Sequence, residues 1–354
     1  MFINVRPCFF FLVFALCAAV AAASAQEVAP ADSHDDGTIS LDVVVAPKSG
    51  QPVSGLKQED FTVLDNKTPQ NILSFRALRE RDESIEVVLV VDDVNTGITN
   101  IAFERSEIDK FLKIDGGRLS HPMALAFLTD DGVKIQDDFS SDGNALSAEL
   151  AQFETGLHTI HRSGGVYSAI ERFQISMQAL FQVANHEAAR PGRKIILWMS
   201  PGWPLLSGPG VEQQMTPKQE QQVFDEVVKV SNLLRHGEIT LYSIDPLGSA
   251  ESTGHAFHWE AFAKGISKPS QAEWGDLALQ VIATQSGGLA LTAGNDIVAF
   301  LKQCLADTQA YYEISFAPPL DQKRDEYHHI EIRLADRKLI ARTRQGYYAQ
   351  AAVH

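Results

Sequence analysis

From Ile85 onward the chain repeats a pattern that few folds can accommodate. Short runs with hardly a polar residue, "IEVVLVV", "MALAFL", "KIILWMS" and "ITLYSID", alternate with longer stretches of helical periodicity. A strand with one solvated face would alternate apolar and polar side chains. These do not, so both of their faces must be covered. "VKIQDDF" and a weaker "GGLALT" read as further strands, and the spacing predicts helices over 103–112, 145–153, 167–185, 218–234, 276–285 and 296–306. Residues 85–307 are therefore expected to form an α/β domain: three layers, doubly wound, around a mostly parallel sheet.

The two flanks have a different texture. Residues 38–84 contain β-rich runs, "ISLDVVVAPKSG", "DFTVLDNKTPQ" and "NILSFRAL", broken by turn residues, and residues 308–349 contain "AYYEISFAP", "EYHHIEIRLA" and "LIARTRQGYYA". Neither set is large enough to stand alone. The economical expectation is that the C-terminal strands pair with the N-terminal unit in one small β-sandwich.

Residues 1–25 carry a single charge, Arg6, ahead of a long apolar stretch that closes on Ala23-Ser24-Ala25, which reads as a secretory signal peptide. Residues 26–37 are polar and read as a disordered lead. The product is expected to be exported, periplasmic or extracellular, without stable membrane insertion after cleavage. With 30 Lys and Arg against 45 Asp and Glu, the formal net charge of −15 argues against nucleic acid as a partner. Outside the leader the only cysteine is Cys304, at helical spacing with Phe300 and Leu301, which reads as a buried small hydrophobe.

The order of strands and helices resembles the von Willebrand factor A domain. The flanks "DVVVAPKSGQPVSGLKQEDFTVLDNKTPQNILSF", "YYEISFAPP" and "LIARTRQGYYA" are similar to those of the VWFA-related domain family of acidobacterial type. The resemblance covers nearly the whole chain after the leader. It implies a protein that binds protein ligands, through a divalent cation held at the carboxyl end of the sheet by hydroxyl and carboxylate oxygens. The family's loop after the first strand is D-x-S-x-S, with a Thr from a second loop and an Asp after the fourth strand.

Here the first loop reads "DDVNT". Asp92 takes the first Asp position, Val94 stands where the first Ser belongs and Thr96 takes the second, while Asp93 and Asn95 are additional oxygen donors. In "RSGGVYSAI" Val166 replaces the Thr, and "ILWMSPGWP" offers Ser200, Pro201 and Gly202 in place of Thr-Asp-Gly. This is a degenerate metal-ion-dependent adhesion site, expected to bind Mg²⁺ or Ca²⁺ weakly or not at all. The Pro- and Gly-rich loop "SPGWPLLSGPG" is expected to expose Trp203, Leu205 and Leu206 as a contact for an unidentified protein partner, with Trp203 as anchor.

No catalytic constellation is complete. "WMSPG" has Trp198 where a nucleophile elbow needs Gly, and Pro201 removes a backbone N–H from the would-be oxyanion hole. The sequence thus reads as a non-enzymatic, exported interaction or adhesion protein. Two alternatives stand beside it: a metal-dependent hydrolase using His255, His258 and Glu260 of "GHAFHWE", and a structural envelope component.

Overall fold

The computed structural model describes residues 37–80, 82–153, 165–207, 215–246, 258–292, 294, 296–320 and 322–350. The leader expected over residues 1–25, almost all of the lead at 26–37, and His255 lie outside them. The N-terminal flank forms β1 (Ile39–Pro47), β2 (Phe61–Asp65), β3 (Thr68–Gln70) and β4 (Ile72–Arg79).

The central region then supplies β5 (Glu86–Asp92), α1 (Ile98–Leu112), β6 (Arg118–Thr129), β7 (Gly132–Ile135), β8 (Ser140–Asp142) and α2 (Gly143–Gln152). It continues with α3 (Gly165–Ala188), β9 (Lys194–Met199), α4 (Pro217–His236), β10 (Ile239–Ile244), α5 (Leu279–Gln285), β11 (Ala290–Leu291) and α6 (Ile297–Ala306). The fold is α/β, with mixed sheets that include parallel strands. The central sheet has the order β11-β10-β9-β5-β6-β7, parallel from β11 to β6, with β7 and β8 antiparallel to β6.

The unbroken apolar character of β5 has a direct cause. Val88 and Val90 pack into one cluster with Leu180 and Val183 of α3 and with Val223 and Val227 of α4. Val87, Leu89 and Val91 pack into another with Ile108 and Leu112 of α1, Leu146 of α2 and Leu301 of α6. Alternate side chains of one strand therefore serve two separate cores. Cys304 is buried in the second cluster, where burial pushes its thiol well above the usual range.

Several boundaries differ from expectation, among them the start of α1, which lies at Ile98 rather than 103. The strand expected over 133–139 stops at Ile135, because Gln136 turns its side chain back to accept from the Leu125 N–H at 2.9 Å. The helix expected from 276 starts at Leu279, because Ala278 is extended and Asp276 instead accepts from the Glu273 N–H at 2.7 Å, closing a short turn.

The C-terminal flank forms β12 (Ala310–Phe316), β13 (Tyr327–Leu334), β14 (Leu339–Arg342) and β15 (Gly346–Tyr348). These interleave with the first four strands in two four-stranded sheets, ordered β14-β1-β12-β4 and β15-β13-β2-β3. β1 runs antiparallel to β12, Ile39 opposite Phe316, and β2 antiparallel to β13, Val63 opposite Ile332. Leu41, Val43, Phe61, Val63, Tyr312, Ile314, Phe316 and Ile330 from both sheets share one apolar cluster. Ion pairs tie this region to the central one: Arg193, just before β9, reaches Asp42 of β1 at 3.1 Å, and Arg342 of β14 pairs with Asp307.

Candidate functional site

The carboxyl end of β5 delivers Asp92 into the interior. The Thr96 N–H donates to the Asp92 carbonyl at 3.1 Å, which folds the following residues into a tight loop before α1. Within that loop Asp92 Oδ1 accepts from the Asn95 backbone N–H at 2.9 Å and from Asn95 Nδ2 at 3.1 Å. Oδ2 accepts from Asn95 Nδ2 at 2.9 Å and from the Trp198 indole Nε1 at 3.1 Å. An ionised carboxylate offers about four lone-pair positions. Four donor contacts from the protein meet them. A cation at Asp92 would have to displace the Asn95 amide or the Trp198 indole.

Asn95 is itself held in place. Its Nδ2 also donates to Ser176 Oγ at 2.8 Å, and its Oδ1 accepts from Arg172 at 3.4 Å, both residues lying on α3. Burial pushes the Asp92 carboxyl above its usual range, and the hydrogen bonds from Asn95 and Trp198 pull the other way.

Asp93 does not join Asp92. Successive side chains at a strand end point to opposite faces. Asp93 accordingly meets Arg105 of α1 at 3.2 Å, and the same guanidinium donates to the Phe153 carbonyl at 2.8 Å. Thr96 is buried with its hydroxyl beside Glu104 of α1, close enough to lower that carboxyl's pKa though outside strict hydrogen-bond geometry. Of the four residues singled out in the loop, only Asp92 and Asn95 thus act as a unit.

Glu104 was missed in the sequence. It is fully buried, and its pKa is raised well above the carboxylate range, first by burial and then by the charge of Asp93. A signal for it existed: Ile101, Glu104, Ile108 and Phe111 share one helical stripe, so a glutamate occupies a position the periodicity assigns to the core.

The loop after β9 differs from expectation. Trp203 is 5% exposed and packs edge-on against Trp198 at 5.4 Å and Phe173 at 6.5 Å; Leu205 and Leu206 are half-buried. The reason is local. Gly202 adopts a φ of +104°, which turns the chain inward, and a Cβ there would lie 2.3 Å from Gln280 Nε2. A Pro- and Gly-rich loop was read as projecting outward when it folds its aromatic ring into the core. Exposed apolar side chains occur instead at the start of α3, where Val166 is 60% and Tyr167 87% exposed. At 1.5 Å per residue along the helix, they precede Arg172 by roughly 8 Å, beyond the carboxyl end of the sheet.

Ser163 and Gly164 of the second loop, Gly208 to Gly210 and His255 lie outside the described residues, so His258 and Glu260 stand without the third residue of their proposed set. They belong to a short turn, His258–Phe262, and Glu260 is exposed. Among the described residues no three His, Cys, Asp or Glu side chains gather as metal ligands, and no helix is long and apolar enough to cross a membrane.

No protein-family model and no curated protein matches the chain. Several solved structures are similar at a low level. Proximal thread matrix protein 1 from the mussel byssus is 11% identical with a TM-score of 0.36, covering 69% of this chain and 51% of that one. Manganese-loaded TRAP protein of Plasmodium vivax is 11% identical with a TM-score of 0.35, covering 79% and 100%. The pilus adhesin SpaC from Lactobacillus rhamnosus GG, in its open conformation, is 8% identical with a TM-score of 0.36, covering 84% and 49%. The chain thus spans about half the length of the first and third of these. Similarities at this level fix neither fold nor function.

Proposed function

We propose that the protein is an exported, von Willebrand A-like interaction module of the VWFA-related type, whose three-layer domain carries a β-sandwich built from both chain ends. It binds a protein partner through the loops at the carboxyl end of the central sheet, and it does so without a divalent cation. The observation that carries this reading is a contrast: Asp92 is enclosed by four donor contacts, while Val166 and Tyr167 stand exposed at the start of α3. An aromatic ring held on the first turn of a long helix supplies contact area with little loss of side-chain freedom.

Trp203 supports that face from beneath as a core residue. The anchor role expected of it passes to Tyr167. The test is photo-crosslinking from residue 171, exposed one helical turn after Tyr167, in the native host, repeated in Val166→Ser, Tyr167→Ala and double-variant backgrounds with and without EDTA. A discrete adduct that persists in EDTA, and whose partner is lost in co-purification with Tyr167→Ala, is the expected result. Retention of the partner by the double variant, or its loss in EDTA, rejects the reading.

A further inference from the structure

The chain passes between the paired strands and the central region twice, from β4 to β5 and from α6 to β12. The two crossings lie side by side, because Arg79 at the end of β4 stands opposite Ala310 at the start of β12. One buried side chain of β6 touches both. His121 is 4% exposed, and its Nε2 lies 2.8 Å from the hydroxyl of Thr308, just ahead of β12, and 3.5 Å from Oε1 of Glu80, the residue after β4.

The bonds of Thr308 assign the proton on this ring. Thr308 Oγ1 donates its hydrogen to the Leu305 carbonyl, in the last turn of α6, at 2.7 Å, so toward His121 it is an acceptor. Nε2 therefore carries the hydrogen of the neutral imidazole, and both contacts use that nitrogen. A second proton goes on Nδ1 and leaves a charged ring in the interior, which costs free energy unless neighbouring charges compensate it.

Two charges act on the ring, and they oppose each other. Glu80 favours the imidazolium; Arg193, which reaches Asp42 of β1 at 3.1 Å, disfavours it. Asp307, next to Thr308, is turned to Arg342 and accepts from the Tyr242 hydroxyl at 2.6 Å, and at the start of β6 Arg118 stands opposite Asp142 of β8. Burial outweighs Glu80 and holds the His121 pKa below its usual value. A histidine held low favours the packed arrangement when neutral. Its contribution is complete above the solvated value of about 6.5 and is lost as pH falls from there toward the folded value.

We propose that His121 makes the seating of the paired strands on the central sheet pH-sensitive: the neutral ring ties both crossings to β6, and protonation favours their release. The joint lies at the amino end of the central sheet, since Met123 stands opposite Val87 near the start of β5, and so away from the loops proposed to bind a partner. The experiment is amide hydrogen exchange of the whole protein at about pH 7.5 and about pH 5, normalised for intrinsic rates, in peptides covering residues 79–86 and 305–311. Acid is expected to speed exchange in both peptides several-fold and to leave peptides from residues 87–91 and 195–199 unchanged. His121→Gln keeps an N–H donor for Thr308 and does not titrate, so it should abolish the difference between the two pH values. The same acceleration in His121→Gln, or none in the unaltered protein, would overturn the proposal. If His121→Gln fails to fold, the assigned imidazole C–H resonance of His121 in the unaltered protein decides it. A midpoint below about 6.5 that the faster exchange follows is expected, and a midpoint at or above that value, or exchange that does not follow it, rejects the joint.

Discussion

Asp92 and Glu104 are both buried carboxyls in neighbouring elements, and the chain treats them in opposite ways. Around Asp92, the backbone N–H and amide of Asn95 and the indole of Trp198 fill the carboxylate from inside the molecule. Around Glu104, burial and the charge of Asp93 disfavour ionisation, and among the described residues neither carboxyl oxygen has a hydrogen-bond donor. A carboxylate saturated by donors has little left to offer a ligand; a buried carboxyl without them is pushed toward its protonated form. The position where the family resemblance implies an ion is therefore already filled by the protein's own donors.

The largest effect should come from breaking the saturated site. Asp92→Ala strands the Trp198 indole and both Asn95 donors in the interior, and is expected to cost about 3–5 kcal/mol in urea unfolding. Asp92→Asn, which keeps an acceptor oxygen, should cost clearly less. A loss below about 1 kcal/mol for Asp92→Ala would mean that the hydrogen bonds hold nothing and that the loop is free to recruit an ion. Trp203→Ala belongs with it, at about 3–5 kcal/mol, because the ring fills space between Trp198 and Phe173. An unchanged melting temperature would return Trp203 to the surface role first expected of it.

The legible and illegible parts of this molecule divide along physical lines. β5, β9 and β10 were readable because burial on both faces leaves a strand no polar positions, and that is visible residue by residue. The direction of a loop is not visible in this way. Gly202 permits a positive φ, but whether the chain then turns in or out depends on Gln280, nearly eighty residues later. Asn95 was read as a possible oxygen donor to a metal. Its opposite role, donating N–H groups to Asp92, follows from the position of Ser176 on α3, which the loop sequence does not contain. Glu104 shows the same limit: that its carboxyl lacks a donor among the described residues depends on everything packed around it.

A middle-sized effect concerns the two acids that burial disfavours. The folded-state pKa of Glu104 is raised well above the usual value, and that of Asp276 is raised to about 7. A raised acid favours the folded state most when protonated, so its contribution is complete below the unfolded pKa of about 4 and is lost as pH rises through the folded one. For Asp276 that window runs from about pH 4 to about pH 7. Glu104→Gln and Asp276→Asn should each be more stable than the unaltered protein at pH 8, by about 1–2 kcal/mol, and should lose the advantage toward pH 4. Equal slopes of stability against pH would show that both carboxyls are solvated more than their burial indicates.

The smallest expected effect is none at all, and it tests the comparison most directly. Calorimetric titration with Mg²⁺, Mn²⁺ and Ca²⁺ should give no saturable heat in the millimolar range, and the melting temperature should not move. Hard cations need several oxygen ligands. Here Asp92 is enclosed, Asp93 points to the other face toward Arg105, and the Thr96 hydroxyl lies against Glu104. Binding would require Asn95 to swing its carbonyl oxygen inward and release both Ser176 and Arg172. The Asp92→Ala, Asp93→Ala double variant gives the control. Heat that the unaltered protein shows and the double variant loses would mean that the loop rearranges around an ion, and the saturated arrangement would then be only its resting state.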